Sequence, residues 1–196
     1  MGPGGTLSPQ PPSEGGPPDR YRHDPADPAP GLGGATLDLT LAGSKNQRRR
    51  EARSDVLLYT SSPLTKDMTV VGPVEAEVWL RSSRPHFDVF VRLCHVDRSG
   101  RSRNISDGVV RVDPERCQPD AEGVWQIGVR MCPTAMTFKA GHRIRIQVSS
   151  AAHPLFARNT GSGEPIGTAS RLMPSEHHLY HERPHPSAIT LPVSRL

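Results

Sequence analysis

Serine, histidine and acidic side chains are the groups with which this 196-residue chain could catalyse acyl transfer. A serine nucleophile sits on a strained strand-to-helix turn, written G-x-S-x-G, because that turn exposes the hydroxyl and directs backbone N–H groups at the oxyanion. The sequence contains no such string. Gly161-Ser162-Gly163 comes nearest, but it lacks the outer spacing and a following helical segment. We therefore predict no catalytic residue in this chain.

Four histidines near the carboxyl end raise the question of a metal site. His177 and His181 stand four residues apart and would share one face of a helix, a spacing that suits zinc. The surrounding residues favour a strand instead, in which positions i and i+4 lie about 13 Å apart, too far for one ion. We predict structural or surface roles for these side chains, with no metal or other cofactor. The four residues are His177, His178, His181 and His185.

The cysteines and the basic charge argue against two further kinds of site. Cys94, Cys117 and Cys132 are odd in number and form no CxxC pair, so neither a zinc site nor a disulfide framework is indicated. The net charge of +4 comes from arginines spread along the chain. The one compact run, Arg48-Arg49-Arg50, has no interleaved aromatic residues for base stacking and is interpreted as a solvated loop. We expect no nucleic-acid partner.

Neither a targeting segment nor a membrane span is evident in the sequence. The amino terminus lacks the charged and apolar regions of a signal peptide, and no apolar run approaches about 18 residues. Together with the scattered cysteines, this pattern indicates a cytoplasmic protein with no membrane partner.

Alternation of apolar and polar residues with a period of two is the main secondary-structure signal. It predicts strands at 37–41, 74–80 and 143–148, and β-branched or aromatic runs predict others at 56–60, 87–96, 104–112, 124–131, 177–181 and 188–193. No window shows the sustained apolar spacing of an amphipathic helix. The pattern predicts an all-β sandwich or jelly roll. Aromatic residues on these strands are interpreted as core or domain-interface residues rather than a ligand platform, namely Trp79, Phe87, Phe90 and Trp125.

Residues 1–34 differ in composition from the rest of the chain. They hold 9 prolines and 8 glycines, which disfavour helix and central strand and favour an extended arm on the surface. We predict a Pro/Gly-rich arm or linker over residues 1–34 and one folded domain over residues 35–196.

Fourteen short strings follow one another along residues 18–192. They are Pro18–Pro28, Gly33–Gly34, Asp55–Ser61, Pro63–Leu64, Val71–Val74, Asp88–Leu93, Asp107–Gly108, Pro133–Thr134, Gly141–Ile144, Val148–Ser150, Arg158–Gly161, Gly163–Pro165, His185–Ser187 and Leu191–Pro192. In this order they resemble the carboxy-terminal domain of the cocaine-esterase (CocE/NonD) / X-Pro dipeptidyl-peptidase family of serine hydrolases. Two positions depart from the pattern, His95 at an expected acidic residue and Cys132 at an expected tryptophan.

The resemblance implies a jelly roll of galactose-binding-like fold that packs beside an α/β-hydrolase domain carrying the catalytic serine, aspartate and histidine. It also implies that the stretch after the Gly-Gly pair leans over the neighbouring active site. Leu37 and Leu39 would then wall the acyl pocket, although an ordinary core strand also explains them. We expect a non-catalytic domain of a hydrolase of ester or peptide bonds, with dipeptidyl-peptidase-type activity in the full-length family.

Two alternatives remain open at this point. The first is a stand-alone carbohydrate- or ligand-binding β-sandwich module, because one fold hosts many functions, and the second is an inactive gene fragment. The family's jelly roll, as the resemblance suggests, opens with a further apolar strand upstream of the position of Met1. We therefore expect an uncovered edge and self-association of the chain.

Overall fold

The computed structural model describes residues 1–10 and 16–194, which form two facing β-sheets. A 3-10 helix at Pro3–Gly5 and a short helix, α1, at Arg48–Glu51 accompany the strands. The strands are β1 (Thr6–Leu7), β2 (Asp19–His23), β3 (Leu57–Ser61), β4 (Met68–Ser82), β5 (Phe87–Val96), β6 (Ser102–Val112), β7 (Trp125–Phe138), β8 (Arg143–Ser149), β9 (Ser175–Tyr180) and β10 (Ala188–Thr190). Within the described part of the chain, no helix is long and apolar enough to cross a membrane.

The two sheets differ in how their strands are arranged. Sheet one has the strand order β1-β3-β8-β5-β6, and sheet two has the order β10-β4-β9-β2, with β7 also paired to β4. The pairing of β1 with β3 is parallel, whereas β4 pairs antiparallel with β7 over most of its 15 residues. The predicted all-β sandwich is confirmed. The finer descriptions, jelly roll and galactose-binding-like, stay predictions.

The main core lies between the sheets and follows the period-two pattern of the sequence. On β4, Val74, Ala76 and Val78 are buried while Glu75 and Glu77 are exposed. Burying alternate residues is expected of a strand with one face in the core. The matching inward residues on β5 and β7 are Phe87, Val89, Val91, Leu93, Trp125, Ile127, Val129 and Met131.

A second layer covers the outer face of sheet one. Every residue of β5 except His95 is buried, including Phe90 and Arg92, which lie on the side away from the main core. The covering segments contribute a small apolar cluster that includes Ala29 and Ala151. The mostly apolar sequence of β5 agrees with this burial on both faces, as in other strands that are covered on both sides.

The strand predicted at residues 37–41 is wrong. These residues form bends and a turn, and Leu37 and Leu39 are 100% and 87% exposed. Instead of joining a sheet, the segment closes on itself through a bridge between Gly34 and Gly43. The other eight predicted strands are found as β3 to β10; β5 has its predicted bounds, and each of the other seven has at least one shifted end.

The Pro/Gly-rich first 34 residues contribute edge strands. β1 lies at the edge of sheet one, and β2, in a stretch free of proline and glycine, lies at the edge of sheet two. Met1 is buried, and its ammonium group donates a 3.1 Å hydrogen bond to the carbonyl of Ser187. The domain boundary after residue 34 stays a prediction.

Candidate functional site

Residues 34–43, called the projecting loop below, stand out from the outer face of sheet one. The backbone N–H of Gly34 donates to the Gly43 carbonyl at 2.9 Å, and the Gly43 N–H donates back at 3.0 Å. These two bonds close the neck of the loop. Beyond the neck, Leu37 and Leu39 are 100% and 87% exposed. The loop therefore presents two large apolar side chains to solvent.

The tip of the loop is ordered by its own hydrogen bonds. The Asp38 carboxylate accepts the Thr40 N–H at 2.9 Å and the Thr40 hydroxyl at 2.6 Å, which is an Asx turn. Hydrogen bonding from the Thr40 side chain lowers the pKa of Asp38, so the carboxylate that makes the turn is ionised at neutral pH. Leu37 and Leu39 flank Asp38, and the turn therefore fixes the segment that carries them.

Arg92 on β5 holds the approach to the neck. Its fully buried guanidinium donates to the carbonyl of Leu32 and, from Nη2 at 3.2 Å, to the carbonyl of Gly33. Asp107 lies directly opposite on β6 and accepts from Nη2 at 2.8 Å. The guanidinium carbon also lies 5.1 Å from the centre of the Phe90 ring, a cation–π contact. The ion pair allows this charge to be buried, because an unpaired charge could not stay there.

Asn104 and Gln47 hold the other side of the neck. Nδ2 of Asn104 donates to the Gly43 carbonyl at 3.1 Å, and Oδ1 accepts the Lys45 N–H at 2.8 Å. Gln47 donates to the Lys45 carbonyl at 3.1 Å and accepts from Arg92 at 2.9 Å. We call this set of side chains the clamp, and its members are Arg92, Asp107, Asn104 and Gln47. Because the clamp reaches both ends of the loop, the loop has a fixed base on sheet one.

Steric contacts explain why residues 33 and 34 are both glycine. Gly33 has a φ of 76°, and a Cβ there would lie 2.4 Å from Oδ1 of Asn104. Gly34 has a φ of 103°, and a Cβ would lie 3.0 Å from the Asp107 carboxylate. Only glycine brings the main chain this close to the clamp in these conformations.

Arg50 is a second buried guanidinium beside the clamp. It donates to the carbonyls of Pro30 at 2.6 Å and Ala151 at 2.9 Å, and its carbon lies 4.7 Å from the Phe90 ring centre. Burial, together with the positive charge of Arg92, lowers the pKa of Arg50 to about 9. The prediction of a solvated loop for Arg48-Arg49-Arg50 is therefore wrong at Arg50, which is the third residue of α1 and faces inward.

The histidines near the carboxyl end are part of the packing. His177 on β9 is buried, stacks on Tyr21 with 4.8 Å between ring centres, and contacts the Ser175 hydroxyl at 2.8 Å. Burial lowers the pKa of His177 to about 3, so the ring is neutral at physiological pH. His185 contacts the Asp120 carboxylate at 2.8 Å. Among the residues that the structure describes, no three or more His, Cys, Asp or Glu side chains are grouped to hold a metal ion.

The two positions that depart from the family pattern lie on different sheets. On β5, Nε2 of His95 lies 2.6 Å from Nδ1 of His142, and the two rings stack with 4.8 Å between their centres. On β7, Cys132 is an exposed free thiol. Neither residue touches the clamp through a described hydrogen bond.

Comparison with known families assigns the chain. A family model described as the X-Pro dipeptidyl-peptidase C-terminal non-catalytic domain matches residues 1–190. The chain belongs to this family. The resemblance drawn from the short strings along residues 18–192 is therefore confirmed.

The curated relatives of this family member are esterases. Cocaine esterase from Rhodococcus sp. (strain MB1 Bresler) is 34% identical over 185 residues, which cover 89% of this chain and 32% of that protein. A putative serine esterase of Mycobacterium bovis (strain ATCC BAA-935 / AF2122/97) is 27% identical over 167 residues, which cover 74% of this chain and 25% of that protein. The chain thus spans about a third or less of the relatives it matches.

Solved structures match the fold over nearly the whole chain. An aminopeptidase from the marine sediment archaeon Thaumarchaeota archaeon superposes with a TM-score of 0.88 at 23% identity, covering 99% of this chain and 36% of the aminopeptidase. An α-amino acid ester hydrolase gives a TM-score of 0.84 at 25% identity, covering 98% of this chain and 35% of that protein. The two-sheet architecture of this family member is thus also that of domains within longer hydrolases.

The clamp could not be found from motif spacing. Leu37 and Leu39 were predicted as candidates and do lie at the tip of the projecting loop, whereas the side chains that hold this loop come from β5, β6 and the segment before α1. One sequence signal for it does exist. Two charged residues, Asp88 and Arg92, interrupt the apolar run of β5, and a buried charge on a strand indicates a paired, structural role.

Proposed function

We propose that this family member is the non-catalytic jelly-roll domain of a serine hydrolase, and that it packs on an α/β-hydrolase domain and partly walls its active site. The projecting loop is the observation that carries the proposal. Its two leucines are almost wholly exposed, and its neck is held to sheet one by buried polar contacts. The clamp keeps these side chains out of the chain's own core. Covering each leucine on a partner surface would contribute about 1.5–3 kcal/mol.

The chemistry assigned to this loop is recognition, not reaction. Leucine side chains offer apolar contact but no proton or nucleophile, which suits the wall of a pocket for the acyl group of an ester or peptide substrate. We assign the serine, aspartate and histidine of catalysis to the hydrolase domain. Ester hydrolysis and dipeptidyl-peptidase-type activity both lie within the proposal. The cytoplasm is the proposed location, because the three cysteines are free thiols.

The test joins this chain to the hydrolase domain of the Rhodococcus cocaine esterase in place of that enzyme's matching segment. We expect turnover of p-nitrophenyl acetate, butyrate and benzoate by the joined protein. Leu37→Ala and Leu39→Ala should change the ratio of kcat/KM among these esters at least about ten-fold, because each removes an isopropyl group and one methylene in an apolar pocket already has an effect of about ten-fold. Val71→Ala is the matched control, since Val71 is 52% exposed on β4 of the other sheet.

Two results would count against the proposal. Unchanged acyl discrimination with a large fall in melting temperature would show that the leucines stabilise the domain and do not face substrate. No association with any hydrolase domain, together with an unrelated neighbouring gene, would favour the stand-alone ligand-binding module. An inactive gene fragment would neither associate nor bind a ligand.

A further inference from the structure

A cavity of about 670 Å³ opens on the outer face of sheet two, on the side of the sandwich away from the projecting loop. Trp79 of β4 forms one wall, Pro119 and Pro184 add apolar surface, and Asp120 and Gln126 add polar groups. The volume falls within the range of about 300–1,000 Å³ that is typical of small-molecule sites. Nothing in the proposed function uses this cavity.

The polar groups beside the Trp79 ring are ordered before any ligand arrives. Nε1 of the half-buried indole donates to one oxygen of Glu77 at 3.0 Å, and Nε2 of Gln126 donates to the other at 3.0 Å. Gly128 lies opposite Glu77 on β7 and has no atom within 4 Å of where a Cβ would stand. The carboxylate is therefore oriented by its neighbours while the space beside it stays open.

The part of the wall beside Trp79 is also fixed. The His185 ring lies 5.0 Å from the Trp79 ring, and its Nε2 lies 2.8 Å from the Asp120 carboxylate. The second oxygen of Asp120 accepts the backbone N–H of Glu122 at 2.8 Å and of Val124 at 2.9 Å. The Val124 amide lowers the pKa of Asp120, which leaves this carboxylate ionised at neutral pH.

We propose that this cavity binds a neutral saccharide, with the apolar face of a pyranose ring on the Trp79 indole and the ring hydroxyls directed to Gln126 and Asp120. A pyranose presents C–H groups on its face and hydroxyls, each both donor and acceptor, around its rim. A flat apolar ring flanked by the Asp120 carboxylate and the Gln126 amide matches both features. The described residues that line the cavity include no lysine or arginine, and their carboxylates disfavour an anionic ligand.

Tryptophan fluorescence tests the site directly, because the chain has only two tryptophans and Trp125 is 5% exposed. In a Trp125→Phe background, Trp79 is the only indole, and we would titrate glucose, galactose, cellobiose and lactose to about 100 mM. We expect a saturable change in emission with at least one sugar, at a Kd near 1 mM. Glu77→Gln should raise that Kd about ten-fold, because the Trp79 indole and the Gln126 amide lose the charged acceptor that orients them.

The matched control is Glu75→Gln, two residues earlier on the same exposed face of β4. Neither glutamate lines the cavity, but Glu77 holds Trp79 and Gln126 of its wall, whereas Glu75 pairs with Arg130 outside it, so the control should leave the Kd unchanged. Trp79 is both the proposed binding surface and the fluorescent reporter, so Trp79→Phe is titrated by calorimetry. This measurement checks that sugar affinity depends on the indole. No saturable response to any of the four sugars would overturn the proposal. Equal effects of Glu75→Gln and Glu77→Gln would also overturn it. Saturation by choline in place of the sugars would overturn it in favour of a cation bound over the indole.

Discussion

Replacing Arg92 with methionine removes the charge that holds the projecting loop while keeping most of the buried volume. Methionine is flexible and apolar, so it can still lie against Phe90, but it donates no hydrogen bond. The carbonyls of Leu32 and Gly33 lose a buried donor, and the Asp107 carboxylate, only 12% exposed, loses its ion-pair partner. The substitution therefore tests the pairing and not the packing.

The expected loss of stability follows from these contacts. Removing one partner of a buried ion pair costs about 3–5 kcal/mol, because the remaining charge is left without compensation. One effect acts in the opposite direction, since Arg92 lowers the pKa of Arg50 and its removal relieves that repulsion. We expect Arg92→Met to reduce the free energy of unfolding by about 3 kcal/mol, a large part of the 5–15 kcal/mol of a typical domain.

Urea denaturation at pH 7 measures this difference, and amide hydrogen exchange locates it. The N–H groups of Gly34 and Gly43 should exchange faster in Arg92→Met than in the unmodified chain, because the neck of the loop loosens. Arg130→Met is the control, since Arg130 is 91% exposed and its 3.7 Å pair with Glu75 should be worth less than about 1 kcal/mol. A loss below about 1 kcal/mol for Arg92→Met, with unchanged exchange at both glycines, would refute the role given to the clamp.

Three further results are expected. Between pH 7 and pH 5 the free energy of unfolding should fall by about 2 kcal/mol through His177, because below pH 6.5 the unfolded chain gains a proton that the folded ring, with a pKa of about 3, does not. Urea melts of His177→Gln should show a smaller fall, and an identical fall would contradict this. The chain should self-associate through its exposed leucines, so light scattering should show a lower mass for Leu37→Ser/Leu39→Ser with a melting temperature within about 2 °C; a monomeric unmodified chain would contradict this. The purified chain should not hydrolyse p-nitrophenyl esters, and turnover abolished by a serine-directed phosphonate would show otherwise.

Most strands were predictable because their physical cause is local. The alternation of apolar and polar residues on β4 indicates that one face of this strand is buried. The apolar run of β5 indicates that both of its faces are buried. The sequence also allowed the family to be inferred, since turn strings depend on glycine and proline at fixed positions.

The segment 37–41 was mispredicted because alternation alone does not say what covers the apolar face. A leucine exposed on a loop gives the same alternating pattern as a leucine in a core strand. Arg50 was mispredicted for a related reason. Its burial depends on carbonyls of Pro30 and Ala151, which are separated from it by 20 and 101 residues. Pairings of this range arise from sheet register and not from spacing along the chain.

The clamp reaches the projecting loop through main-chain atoms. Arg92 binds the carbonyls of Leu32 and Gly33, and Asn104 binds the carbonyl of Gly43, so these contacts do not depend on the side chains between the two glycines. Residues 35–42 can therefore change in sequence without losing the contacts of Arg92 and Asn104 with the main chain. Such changes carry little risk to folding. The neck can hold loops of different sequence in the same position on sheet one. Recognition can therefore be varied at residues 35–42, by evolution or by design, while the sandwich stays the same.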